Sequence, residues 1–432
     1  MKKIVQAALL FTAAALLFGV VTAAAQTLEA LQLSAWENRE IVKRYQADLD
    51  IRMERIKEAR GEFLPSLDLD YTLNRLNHDT AVGENRKNDT FTGGASWNVF
   101  AGFKDYYALK AAKELTQSGQ FNLDGIKQDI SLNVALAFLS VYRAFQNLTV
   151  ADNEVKLYRD RLRQITLKVE VGVLKKTDLL KVKVEMDNAI QNRRRAEAAV
   201  EVSLNRLRFE TGLAALDREE LDFSLFDELP QMADYSIYEG MLLKNRSELN
   251  ALKSAYEASG MNVAASRATL YPRADLSLGY SSHTRDDFFM DGFENSDDEV
   301  RCQAVISMNL FDGMKKYSRT RQAKMDQKKI KFDIDELEEN LKTELKNTLV
   351  SLDVAFDNLE VARAGIVEAQ ENIRVTDLGF SQGIGTSTDV LDAILNLSRA
   401  KFNLINAYTE VFESDFRLRR LIEADSQVEA DS

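Results

Sequence analysis

VGVLKKTDLL (171–180) and QGIGTSTDVL (382–391) are two versions of one turn. Gly172, Thr177 and Asp178 recur as Gly383, Thr388 and Asp389, each 211 positions later. Glycine tolerates the left-handed conformation that ends a helix. Threonine followed by aspartate suits a helix start, as N-cap and first-turn acid. Each stretch therefore reads as the tip of a helical hairpin.

The likeness spreads outward from the tips. WNVFAGFKDYYALKAAK (97–113) faces MNLFDGMKKYSRTRQAK (308–324) at the same offset, and AFQNL (144–148) faces AFDNL (355–359). FLPSLDLDY (63–71) faces LYPRADLSL (270–278). The chain is a tandem duplication of one large unit, and not a solenoid of short repeats.

Helices dominate each unit. The chain has three prolines, Pro65, Pro230 and Pro272. Between them Ile130, Val134, Ala137, Val141, Ala144, Leu148, Ala151 and Val155 run at spacings of three and four. Ile334, Leu337, Leu341, Leu345, Leu352, Ala355 and Leu359 repeat the pattern. Seams of that length argue for coiled-coil packing. Long helices are expected over 103–171 and 314–382, each ~100 Å at 1.5 Å per residue. Helices of about half that length are expected over 28–62, 177–211, 236–270 and 388–422.

Strands fill the gap before each long helix. LDLDYTLNRLN (67–77) and TFTGGASWNVF (90–100) alternate apolar and polar residues, as do ADLSLGYSS (274–282) and VRCQAVISMNL (300–310). Polar loops, 78–89 and 283–299, join the members of each pair. Strands of ~9–11 residues with one apolar face are the signature of an outer-membrane barrel. Four strands cannot close a barrel, and open edges cannot face lipid, so several chains would share one. The competing reading is a secreted helical scaffold or adhesin with two half-buried hairpins.

Composition narrows the function. MKKIVQAALLFTAAALLFGVVTAAAQ (1–26) reads as a secretory leader cut before Gln26, with an uncleaved anchor as the competing reading. No apolar run of ~18 residues follows it. The formal net charge is −12, and removal of the two leader lysines takes it to −14. Such a chain does not suit nucleic acid, which needs cationic neutralisation. The single cysteine, Cys302, excludes an intrachain disulfide, and the two histidines, His78 and His283, lack metal-ligand spacing. No nucleophile, phosphate-loop or metal motif is present, so neither catalysis nor a cofactor is expected.

At this level the whole mature chain resembles the TolC-type outer-membrane efflux proteins. NREIVKRYQADLDIRMERIKEARGEFLPSLDL (38–69) looks like that family's first helix running into its first strand. The junctions NVFAGFK and NLFDGMK and the two tips match in order and spacing.

The resemblance implies a mostly α fold with a β-barrel portion. In it, a homotrimer forms a twelve-stranded barrel in outer-membrane lipid, joined to a periplasmic α-helical barrel. The linker 213–236 would belong to an equatorial collar, followed by the second repeat (237–424) and an acidic tail (425–432). The family's members are passive exit ducts for efflux or type I secretion. They work with a periplasmic adaptor and an inner-membrane transporter.

By the same resemblance Asp389, Asp392, Asp178 and Phe380 belong to a periplasmic aperture. Val171, Gly172, Val173, Gly383 and Ile384 belong to adaptor-docking tips. An i, i+3 pair such as Asp389 and Asp392 shares one helix face, and threefold symmetry would gather six carboxylates that attract cations. The first repeat carries Lys181 where the second has Asp392. Gly385 stands where the family has a latch arginine, so the family latch is not expected here, with Lys175 and Lys176 as candidate substitutes. The first-turn position of Asp389 also has a purely structural reading, stabilisation by the helix dipole.

Overall fold

A computed structural model describes residues 26–78, 87–284 and 296–423. The expected leader, most of both polar loops and the acidic tail lie outside the described residues. These form two compact units. One holds the chain up to Lys43, Ile126–Asn245 and the chain from Leu341; the other holds Arg44–Gly125 and Arg246–Asn340.

The order of elements is α1 (Leu28–Asn38), α2 (Glu40–Gly61), β1 (Ser66–Arg75), β2 (Lys87–Phe100), α3 (Lys104–Glu170) and α4 (Lys176–Thr211). The second repeat follows with α5 (Tyr235–Asn245), α6 (Ser247–Arg267), β3 (Arg273–Thr284), β4 (Ser296–Ser307), α7 (Lys315–Ser381) and α8 (Ser387–Ile422).

Two expected helices are split. The stretch 28–62 breaks at Arg39, and 236–270 breaks at Arg246. Both arginines leave the helical region, with ψ of 125° and 113°. They occupy equivalent places in the repeat, Asn38-Arg39 and Asn245-Arg246. Arg39 is held out of the helix by side-chain partners. It donates to the Phe209 carbonyl at 2.8 Å, lies 4.2 Å from the Phe209 ring centre and pairs with the buried Glu210.

The second unit contains one antiparallel sheet in the order β1-β2-β3-β4. Register places direct cross-strand partners on a common face. One face carries the rows Trp97, Leu276, Ala304; Leu67, Ala95, Leu278, Cys302; and Leu69, Gly93, Tyr280, Val300. The next row, Tyr71 and Phe91, ends this apolar band. Beyond it Asp89 accepts from the Tyr71 hydroxyl at 2.8 Å and pairs with Arg75.

The opposite face is polar, with small residues on β2 and β3 and longer ones on β4: Ser66, Ser96, Ser277, Gln303; then Asp68, Gly94, Gly279, Arg301; then Asp70, Thr92, Ser281, Glu299. Among the described residues nothing covers the apolar face, where Leu67 is 80% and Ile306 79% exposed.

Each sheet-to-helix junction contains two successive left-handed residues, Gly102-Phe103 and Gly313-Met314. At Gly102 a side chain would strike the Ala268 carbonyl, and would come within 2.9 Å of Tyr271 Cβ. Glycine is required there by space as well as by backbone angle.

In the first unit the linker packs through aromatic residues. Phe226 stacks within 4.6 Å of Tyr142, 5.0 Å of Phe412 and 5.6 Å of Phe138, and its carbonyl accepts from the Tyr408 hydroxyl. An 18-residue window in α3 passes for a membrane span by length and composition only; 44% of it is buried inside the protein.

Candidate functional site

Each long helix ends in a Schellman motif. At the first turn Val173 N–H donates to the Lys168 carbonyl at 2.8 Å, and Gly172 N–H to that of Val169 at 3.0 Å. At the second, Ile384 N–H donates to the Gly379 carbonyl at 2.9 Å, and Gly383 N–H to that of Phe380 at 3.2 Å. The glycines sit at φ of +77° and +78°. The apolar residues around them point outward: Val171 is 74% and Ile384 83% exposed, and Val173 is similarly bare.

The helix starts differ from the sequence expectation. The caps are Lys175 and Thr386, and not Thr177 and Thr388. Thr386 makes a full capping box. Its hydroxyl accepts from Asp389 N–H at 3.2 Å, while the Asp389 carboxylate accepts from Thr386 N–H at 2.8 Å. The Thr386 backbone N–H first, and the Thr386 side chain second, hold the Asp389 carboxyl below the usual carboxylate range. Asp178 makes the corresponding backbone bond at 3.3 Å to Lys175 N–H. A lysine side chain has no acceptor, so the first turn lacks the reciprocal half.

Asp389 and Asp392 are both exposed on α8. Lys181 Nζ donates to Thr388 Oγ1 at 3.1 Å, joining α4 to α8. Among the described residues Lys175 and Lys176 form no ion pair.

Phe380 does not line a free surface. It is 5% exposed and packs with Val155, Tyr158, Ile165, Val182, Val390, Leu391 and Ile394. Lys168 Nζ lies 4.0 Å from its ring centre, and Arg161 Cζ 5.2 Å. Gly385 closes the same corner: a side chain there would meet Phe380 N at 3.2 Å and Gly379 C at 3.3 Å. An arginine at that position would require the turn to shift.

One group escaped the sequence reading. Arg161 on α3 is almost fully buried, pairs with Asp377 on α7, and donates to Gln164 at 2.9 Å. This pair ties the long helix of one hairpin to that of the other. The partners stand 216 residues apart and neither belongs to a motif, so no local signal announces them. Among the described residues no cluster of potential metal ligands is present.

Comparisons agree with this geometry. Residues 31–213 and 240–423 each match the family described as Outer membrane efflux protein, one match per repeat. The chain is 24% identical to Outer membrane protein TolC of Vibrio cholerae over 425 residues, covering 96% of this chain and 94% of that one. It is 22% identical to Outer membrane efflux protein BepC of Brucella suis, covering 95% and 89%. Among solved structures, CusC superimposes with a TM-score of 0.78 at 13% identity, over 91% of each chain. The fold is thus that of TolC-like channels, mostly helical with a barrel portion. The chain belongs to the outer membrane efflux protein family, and its place is the outer membrane.

Proposed function

We propose that three copies of this chain assemble into one exit duct. Each gives four strands to a shared barrel in outer-membrane lipid and two helical hairpins to a periplasmic tunnel. The uncovered sheet carries the reading. It is a single layer with a bare apolar face, and β1 and β4 end its order. A soluble domain would bury that face against a second layer. Unpaired edges are not tolerated in lipid, so further copies must supply their partners. Three copies give twelve strands, an even number suited to an outer-membrane barrel.

The polar face then lines the lumen. The exposed apolar tips, Val171, Gly172, Val173, Gly383 and Ile384, meet a periplasmic adaptor that couples the duct to an inner-membrane transporter. Asp389 and Asp392 project from the second hairpin toward the threefold axis and, with Asp178, set the charge of the aperture. Phe380 supports that aperture from inside the bundle. The duct performs no bond chemistry; a transporter supplies the energy. Small molecules and proteins are both open as cargo.

Electron microscopy of full-length protein extracted from membranes in mild detergent tests the assembly. The expected particle is a hollow cylinder with threefold symmetry. Recovery without detergent as a compact single-chain particle overturns the duct and leaves the scaffold.

A further inference from the structure

The first hairpin buries a carboxyl group that the duct does not use. Glu154 lies on α3 within the bundle behind the turns and is 5% exposed. Among the described residues it takes no hydrogen bond and no ion pair. The charged group facing it from α4 is Glu185. One turn further along α3, the wholly buried Tyr158 faces Glu154, Glu185 and, from α8, Asp392.

Three cations of these two helices are engaged elsewhere. Arg161 of α3 is held by Asp377 of α7 and by Gln164, Lys181 of α4 by Thr388, and Arg193 of α4 by Asp152. From α7 the bundle receives the apolar Phe380 and Ile373.

A buried carboxylate without a partner is costly, whereas the neutral acid is tolerated. We infer that Glu154 is a proton-operated release in the α3–α4 seam. Protonated, it packs as a neutral side chain. Ionised, it faces Glu185 as an unpaired charge and forces the seam apart. No cation or bound ligand is needed.

The sign follows from linkage. Burial first, and Glu185 second, push the Glu154 carboxyl above its ordinary value of 4.5. The packed seam therefore holds more protons than the loosened one, and its stability falls as pH rises. The seam is tightest below 4.5 and loosest above the raised value. In the duct a looser seam frees the first turn, so open time rises with pH. That consequence rests on the duct reading; the seam itself does not.

Hydrogen exchange read by mass spectrometry on the full-length protein in detergent separates the two. After correction for intrinsic rates, peptides covering 150–165 and 179–190 lose about tenfold protection between about pH 5 and about pH 8. Glu154→Gln keeps the acid level of protection at both. Glu185→Gln leaves the buried position intact and shrinks the loss. Wild-type protection that does not change with pH overturns the inference, as does either variant following the wild-type profile. Planar-bilayer recordings on the same proteins complete the test. A protein that shows the exchange effect without conductance removes the duct and keeps the seam.

Discussion

Gly172 and Gly383 adopt almost the same φ, and the carbonyls of Lys168 and Gly379 receive the same pair of bonds. The helices that leave these turns begin differently. Thr386 and Asp389 cap each other, whereas Lys175 offers Asp178 only a backbone N–H. Four positions beyond the cap-side residues Thr177 and Thr388, the first hairpin has Lys181 and the second Asp392. Since the duplication, what the backbone demands has been kept, and what a neighbour or an ion would meet has changed. Selection on the backbone alone would have kept neither the lysines of one turn nor the second acid of the other.

The strongest way to break this comparison is to cut the tie between the hairpins. Arg161→Ala removes a charged hydrogen-bond donor and a cation over Phe380, at a cost of about 2–3 kcal/mol. Asp377→Ala leaves the nearly buried Arg161 guanidinium without its counterion, with Gln164 as its remaining partner, and should cost a comparable amount, about 2–3 kcal/mol. Thermal melts of the detergent-solubilised protein measure both. A much smaller loss for Asp377→Ala would mean that Arg161 acts through its packing on Phe380, and not through the ion pair.

A second comparison uses the glycines. Nothing lies within 4 Å of a side chain added at Gly172 or Gly383. Alanine at either site therefore carries only the left-handed backbone cost, about 1–2 kcal/mol, and the two costs should match. Local exchange in the last turns of α3 and α7 reads them. Unequal values would show that the turns are not equivalent in the assembled protein.

The caps sharpen the contrast. Thr386→Ala removes one half of a capping box and should loosen the first turn of α8 by about 1 kcal/mol. Lys175→Ala should change little. Lys175→Thr should bring the first turn of α4 to the level of its counterpart, a gain of similar size. Amide exchange at Thr177–Leu179 and Thr388–Val390 checks all three.

Much of this architecture was legible because the chain states it twice. The tips, the long helices and the alternating strands all follow from periodicity and from a repeated glycine. Three features did not. Arg39 and Arg246 break helices without a breaker's composition; Arg39 reaches across to the Phe209 carbonyl, while Arg246 pairs with Glu248 in the first turn of the helix it precedes. Thr386 and Thr388 are chemically equal candidates for the cap, and only the path of the chain distinguishes them. Resemblance alone gives Phe380 to the aperture, and no local signal shows that its ring is buried beside Lys168. Side-chain direction at a helix end depends on the neighbouring helices, which no short window contains.

The smallest effect tests the same contrast through pH. Asp389 titrates below the ordinary carboxylate value of 3.8 because two bonds from Thr386 favour its charged form. A depressed value in the folded state means that the cap is fully effective above 3.8 and fails as pH falls through the lower value. Acid should therefore fray the start of α8, seen as faster corrected exchange at Thr388–Val390. Asp389→Asn should show that fraying already at neutral pH and add little in acid. The α3–α4 seam should respond with the opposite sign, tightening as Glu154 is protonated. One acid titration followed at both places thus sets the hairpins against each other. A start of α8 that keeps its protection in acid would show that Thr386, and not the charge on Asp389, holds the cap.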